Sequence, residues 1–224
     1  MNKTIFFNDE MNFETVGRLI ETLEIINDIN VNEFIPETVN IYFCTNGGII
    51  SSADVLIDYI NNYSIPITII LYEECSSAGF HFALNVDVDV KVLNTTFSAL
   101  HRSAVSLSSR KLKDRTSIDH FFNEHGAEID ERMISDFKKA GLTDEQLRLI
   151  NEGKDIFLNS DQILKAIMNF RENKLIDELN EDIMEAQFEI DNMISLREEL
   201  LAKHSKNKDS KKKNKKWKNK KAGV

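Results

Sequence analysis

The chain has 224 residues, enough for one domain of moderate size plus an extension, and an apolar share of 42% with 14 Phe supplies a core. Its two cysteines, Cys44 and Cys75, both sit inside apolar runs, which fits a reducing compartment and gives no sign of a disulfide framework or a zinc site. The net charge of −9 conceals two opposed parts: residues 205–221 hold ten Lys and one Asp, so the rest of the chain carries −18. So acidic a body argues against nucleic-acid binding by the folded part and leaves the Lys-rich tail as the place where nucleic acid or another anion would bind.

Met1-Asn2-Lys3 leads directly into a strand-like segment, Lys3–Phe7, so no signal peptide is expected. Helical spacing follows from Asn12 to about Asn27, with Phe13, Val16, Leu19, Ile20, Leu23 and Ile26 on one side. After Pro36, Val39–Cys44 is a β-rich run that ends at Asn46-Gly47-Gly48, and a helix from Ser52 to Asn62 turns Ala53, Val55, Leu56, Tyr59 and Ile60 inward. The longest apolar stretch, Ile65–Tyr72, contains Pro66 and falls far short of the ~20 residues a membrane helix needs. It reads as a strand, Ile67–Leu71, and the expected location is cytoplasmic with no membrane partner.

Another apolar helix begins after Cys75-Ser76-Ser77-Ala78-Gly79. The strand, small-residue turn and helix unit therefore occurs twice, with Gly48 and Gly79 separated by 31 residues. Strands are expected at Val88–Leu93 and Thr96–Leu100, and strands alternating with helices predict an α/β domain with largely parallel pairing. A polar-rich helix follows from Ile118 to about Lys139, ended by Gly141, and Thr143-Asp-Glu-Gln146 is a capping-box start for the next.

The final helix runs from Ser160 to about His204. Within it Ile176, Leu179, Ile183, Ala186, Ile190, Met193 and Leu200 keep 3-4 spacing, broken by Arg197. That pattern fits packing on the chain's own domain and equally a helix–helix contact between subunits. Residues 205–224, Lys-rich and of low complexity, are expected to be disordered. The expected organisation is a domain over residues 1–168, an amphipathic helix over 169–204, and the tail.

A Ser at a sharp turn between a buried strand and a helix is where hydrolases commonly place a nucleophile, because the turn exposes the hydroxyl and the helix start offers free N–H groups. Ser77-Ala78-Gly79 supplies that setting, although small residues there also serve simple tight packing. Ser76 competes with Ser77 for the role. His81, four residues on, reads as a core histidine. His120 and His125 lack acidic or Cys partners at ligand spacing, so neither a metal site nor a cofactor is expected.

Asn46-Gly47-Gly48, Ser77-Ala78-Gly79, Leu100-His101 and Lys154-Asp155-Ile-Phe-Leu-Asn-Ser160, in this order, resemble the proteolytic subunit of the Clp protease, across roughly residues 4 to 165. Gly48 to Ser77 spans 29 residues, Ser77 to His101 spans 24, and His101 to Asp155 spans 54, as that family spaces its Gly-Gly turn, Ser, His and Asp. The resemblance implies the ClpP/crotonase-like spiral of ββα units, followed here by a long C-terminal helix. It implies a serine endopeptidase with Ser77 as nucleophile, His101 as base and Asp155 orienting the imidazole, and with the Gly48 and Ala78 N–H groups as oxyanion hole. It selects Ser77 over Ser76, since the family's Gly lies two residues after its Ser.

The implied partners are a peptide or unfolded protein as substrate and further copies of the chain in a homo-oligomer. The Ile118–Lys139 helix stands where the family has its ring-to-ring handle. A Clp-type ATPase is a less expected partner, because only three residues precede Thr4–Phe7, too few for an axial loop. Two alternatives stay open: a catalytically silent scaffold or subunit of this fold, and a crotonase-type acyl-CoA enzyme, which would not need a Ser-His-Asp set.

Overall fold

The computed structural model describes residues 2–30, 36–101 and 128–221, with side chains described throughout except at 29–30 and 201–221. In chain order the elements are β1 (Lys3–Asn8), α1 (Phe13–Asn30), β2 (Val39–Thr45), α2 (Ile50–Asn61), β3 (Ile67–Cys75), α3 (Ala78–Asn85), β4 (Asp89–Val92) and β5 (Phe97–Leu100). Residues 128–139 are helical and form α4. Then come α5 (Asp144–Asn151), β6 (Ile156–Asn159) and α6 (Ser160–Lys221). Of the expected Ile118–Lys139 helix, residues 118–127 lie outside the described residues, as do His120 and His125. The chain divides into two compact units, Met1–Lys174 and Leu175–Val224, and every described strand belongs to the first.

The sheet follows the order β1-β2-β3-β5-β6, with β4 also paired to β3. All pairings from β1 to β5 are parallel, and β5 to β6 is antiparallel. Parallel strands buried on both faces read as continuous apolar runs, and β3 does so over Ile67–Leu71. At β1 the two faces part: Phe7 is buried and stacks on Phe43 at 4.9 Å, while Phe6, 68% exposed, stacks on Tyr42 at 5.0 Å. On the inner face Phe82 of α3 stacks on Phe43 at 4.5 Å, so one aromatic column joins β1, β2 and α3.

Local chemistry accounts for the helix starts. Asn12 Oδ1 accepts from the N–H groups of Glu14 and Thr15, capping α1, and Thr143 and Gln146 close the reciprocal capping box of α5. α3 is apolar nearly all round and buried from Ala78 to Leu84, as a central helix must be. Phe13 and Val55, expected on inner faces, are exposed instead. On α2, Ser52, whose hydroxyl has no partner among the described residues, is buried in place of Val55.

Two elements differ from the sequence expectation. β6 was not expected as a strand, because four residues with Ile156 and Leu158 alternating are too short a pattern to separate from a turn. It forms because β5 offers it an antiparallel edge, Leu158 facing inward at 4% exposure. The second difference is α6, whose helical backbone continues past His204 to Lys221. Lys is a good helix former, and no Gly or Pro interrupts the chain before Gly223.

His81, read as a core histidine, is 3% exposed in α3 and held by two carboxylates. Its Nε2 lies 2.9 Å from Asp54 Oδ1 of α2, and its Nδ1 lies 3.3 Å from Asp136 Oδ2 of α4. Arg132 of α4 donates to the other Asp54 oxygen at 2.9 Å. Burial alone would lower the His81 pKa, but the hydrogen bonds to Asp136 and Asp54 outweigh it and hold it above the ordinary histidine value. Burial likewise pushes the Asp54 carboxyl up, and His81 and Arg132 overcome that to hold it below the usual value.

A raised histidine pKa stabilises the fold fully below the unfolded-state value, and this stability is lost as the pH rises through the folded-state titration. His81→Ala should therefore cost ~3 kcal/mol in denaturant unfolding at pH 6, as loss of one partner of a buried pair does. The difference from wild type should shrink at pH 9. An equal loss at both pH values would show that His81 acts through packing and not through charge.

Candidate active site

The candidate residues named from the sequence lie at the C-terminal ends of β2, β3 and β5. The turn from β3 to α3 is the centre. Ser77 occupies the position before α3 with φ 51° and ψ −119°, a left-handed backbone that a non-glycine residue rarely adopts. A Ser before a helix ordinarily uses its oxygen to cap the first turn. Ser77 makes no such side-chain cap bond, so its hydroxyl is not spent on the helix.

Backbone bonds fix the turn from both sides. Ser77 N–H donates to Ala99 O of β5 at 3.0 Å, and Gly79 N–H to Ser76 O at 2.8 Å. Phe80 and His81 N–H donate to Ser77 O at 3.0 and 3.1 Å, which starts α3. Gly79 is required by close approach: a Cβ there would lie 2.3 Å from Thr45 Cγ2.

The Gly47-Gly48 turn at the end of β2 lies directly against this residue. A Cβ on Gly47 would come 2.6 Å from Ser77 Cβ and 3.2 Å from Ser77 Oγ. Buried Thr45 accepts from Gly47 N–H at 3.0 Å. Met11, fully buried before α1, grips the turn with its backbone, donating to Gly47 O and accepting from Ile49 N–H, both at 2.7 Å. This pairing leaves Gly48 at φ 138°. Among the described residues, the N–H groups of Gly48 and Ala78 donate to no protein acceptor. Ala78 is the first residue of α3, where such an orphan donor is expected.

His101 follows Leu100 at the end of β5 and is half-buried. Asp155 precedes Ile156 at the start of β6 and is exposed. Leu100 pairs with Ile156 in the antiparallel ladder, so the register continued by one residue sets His101 opposite Asp155. Ala99, two residues before His101, carries the bond to Ser77. The strand order thus brings Ser77, His101 and Asp155, 78 residues apart at the extremes, to one end of the sheet.

Rival nucleophiles are otherwise engaged. Ser76 is 2% exposed, donates to Glu74 Oε1 at 2.8 Å and accepts from Ala99 N–H at 2.8 Å. Cys75 is fully buried, and burial, with Cys44 and Glu74 adding to it, pushes its thiol far above the ordinary range. No pattern in the sequence singles out Met11 or the Thr45 side chain, whose bonds to the Gly-Gly turn appear only in the fold. Among the described residues no group of three His, Cys, Asp or Glu is placed to hold a metal ion. None of the described helices is long and apolar enough to cross a membrane.

The Gly48 position sets a test of this geometry. A Cβ there would stand 2.3 Å from Met11 O, backbone that cannot give way, at a φ that strains any L side chain. Gly48→Ala should cost at least ~2 kcal/mol in denaturant unfolding. Gly17→Ala, inside α1 with nothing within 4 Å, should instead gain about 0.5–1 kcal/mol. A Gly48→Ala protein as stable as wild type would contradict the tight seat of the turn on Met11.

No family model and no curated protein sequence matches the chain. Among solved structures it is similar to a mutant of ClpP1 from Listeria monocytogenes, with a TM-score of 0.54 at 17% identity, covering 74% of this chain and 88% of that one. At that identity the likeness speaks to architecture. The chain has a ClpP-like mixed α/β fold followed by a long C-terminal helix.

Proposed function

We propose that the chain is a serine endopeptidase that hydrolyses peptide bonds in peptides or unfolded proteins. The observation that carries this reading is the left-handed Ser77 at the β3–α3 turn, its hydroxyl unused for capping and its N–H bonded to the strand that His101 follows. A strained, over-determined backbone at a strand-to-helix turn is what a nucleophile elbow requires.

In this reading Ser77 Oγ attacks the scissile carbonyl carbon as His101 takes its proton. The oxyanion that forms accepts from the Gly48 and Ala78 N–H groups, which have no protein acceptor among the described residues. Collapse of the tetrahedral intermediate breaks the C–N bond, and His101 gives its proton to the leaving amine. Water then attacks the acyl-enzyme by the same route, and Asp155 holds the imidazole orientation throughout. Glycines at 47 and 48 let an extended substrate backbone approach the turn closely, which favours main-chain recognition and weak side-chain selectivity.

The ClpP-like fold also supports assembly into a homo-oligomer. The apolar positions of α6 from Ile176 to Leu200, exposed in the single chain, are available for contacts between subunits.

The purified chain should hydrolyse casein without added nucleotide. Ser77→Ala should lower kcat by ~10⁶-fold and His101→Ala by a similar factor, with a smaller loss, ~10⁴-fold, for Asp155→Ala. Casein hydrolysis unchanged in a folded Ser77→Ala protein would refute the assignment. No hydrolysis by the folded, assembled wild-type chain would favour the silent-scaffold alternative.

A further inference from the structure

Ser76 stands where three parts of the site meet. Its N–H donates to Thr45 O at 3.0 Å, and Thr45 in turn holds Gly47 N–H, so Ser76 is tied through one residue to the Gly47-Gly48 turn. Its hydroxyl accepts from Ala99 N–H at 2.8 Å and donates to Glu74 Oε1 at 2.8 Å. The peptide groups flanking Ala99 are therefore held at both ends, the N–H by Ser76 Oγ and the C=O by Ser77 N–H.

The backbone ladder alone would not do this. β3 and β5 pair at a single register position, Glu74 with Phe97. Beyond it, the Ser76 hydroxyl takes the place of a backbone acceptor on the β5 side while the Ser76 N–H faces β2. Without that hydroxyl, the Ala99 N–H would lose its partner in a part-buried position. Two residues on, His101 hangs from the segment so held.

We propose that Ser76 is a positioning residue, with Glu74 orienting its hydroxyl, that fixes the end of β5 and so the placement of His101 relative to Ser77. The proposal rests on the peptidase reading above. Ser76 neither touches substrate nor shares the chemistry: its hydroxyl proton is engaged by Glu74, and its oxygen by Ala99. Glu74 matters through direction, since an acceptor on that side turns the Ser76 oxygen's lone pair toward the Ala99 N–H.

The test is steady-state hydrolysis of a fluorogenic peptide together with amide hydrogen exchange at Ala99. Ser76→Ala should lower kcat by ~10²-fold with KM unchanged, the scale of loss for a misplaced catalytic group. Exchange at Ala99 should accelerate at least ~10-fold. Glu74→Ala should move both readouts in the same direction, and Glu74→Gln, which keeps the acceptor, should restore them. In a His101→Ala background Ser76→Ala should cause no further loss, because it acts through the base.

Wild-type kcat with Ala99 still protected in Ser76→Ala would overturn the proposal, as would equal losses in the two Glu74 variants. A further loss in the His101→Ala background would overturn it as well. Should Ser76→Ala fail to fold, the half-buried Glu74 pair decides alone. A Ser77→Ala protein as active as wild type would mark failure of the peptidase reading itself and would remove the proposal with it. A slow Ser76→Ala beside an inactive Ser77→Ala supports both.

Discussion

The backbone of Ser77 is the constraint on which the site depends. A non-glycine residue at φ 51° costs on the order of 1–3 kcal/mol and persists only where its surroundings over-determine it. Here they do. The Ala99 carbonyl takes its N–H, the first N–H groups of α3 take its carbonyl, and Gly47 packs against its side chain on the remaining side. Relaxing Ser77 to an ordinary conformation would redirect the start of α3, whose Phe80 and Phe82 are fully buried. The helix would lose its place in the aromatic column with Phe7 and Phe43.

A second irregularity makes the first one workable. β3 pairs with β4 over Thr68–Leu71 and then with β5 at Glu74, so the strand changes partner between these positions. The change coincides with a bulge: opposite β2, the register passes from Leu71 on Phe43 to Cys75 on Thr45, and Glu73 takes φ 53° within it. A bulge bends and twists its strand, which lets one strand serve two neighbours. Leu71 O closes the fork by accepting from Leu93 N–H and from the Thr96 hydroxyl, which turns β4 into β5. His101 lies at the same end of the sheet as the Ser77 turn because β5, and not β4, follows the end of β3.

Much of this was legible in the residues. The apolar runs Val39–Cys44 and Ile67–Leu71, each closed by small residues and followed by helical spacing, announced two parallel strand–turn–helix units. The resemblance at Gly48, Ser77, His101 and Asp155 named the site's candidates. What the sequence did not show is tertiary in origin. In the sequence only the resemblance, with Gly79 two residues after Ser77, prefers Ser77 to Ser76; in the fold the Ser76 hydroxyl is engaged by Glu74 and Ala99, while that of Ser77 makes no cap bond. β6 is a strand only because β5 presents it an edge. Met11 grips the Gly-Gly turn through backbone groups that every residue has. His81 reads as a core histidine from sequence, but only the packing of α2 and α4 against α3 supplies its partners Asp54 and Asp136.

The central claim is that this geometry makes one serine, Ser77, nucleophilic. The most direct measurement is tandem mass spectrometry of the folded chain after brief reaction with a fluorophosphonate, which adds a stable mass to an activated serine. The account predicts a single adduct on the peptide carrying residues 76 and 77, with fragment ions placing it on Ser77, and none after unfolding. An adduct on Ser76, or a folded chain that acquires no adduct, would contradict it.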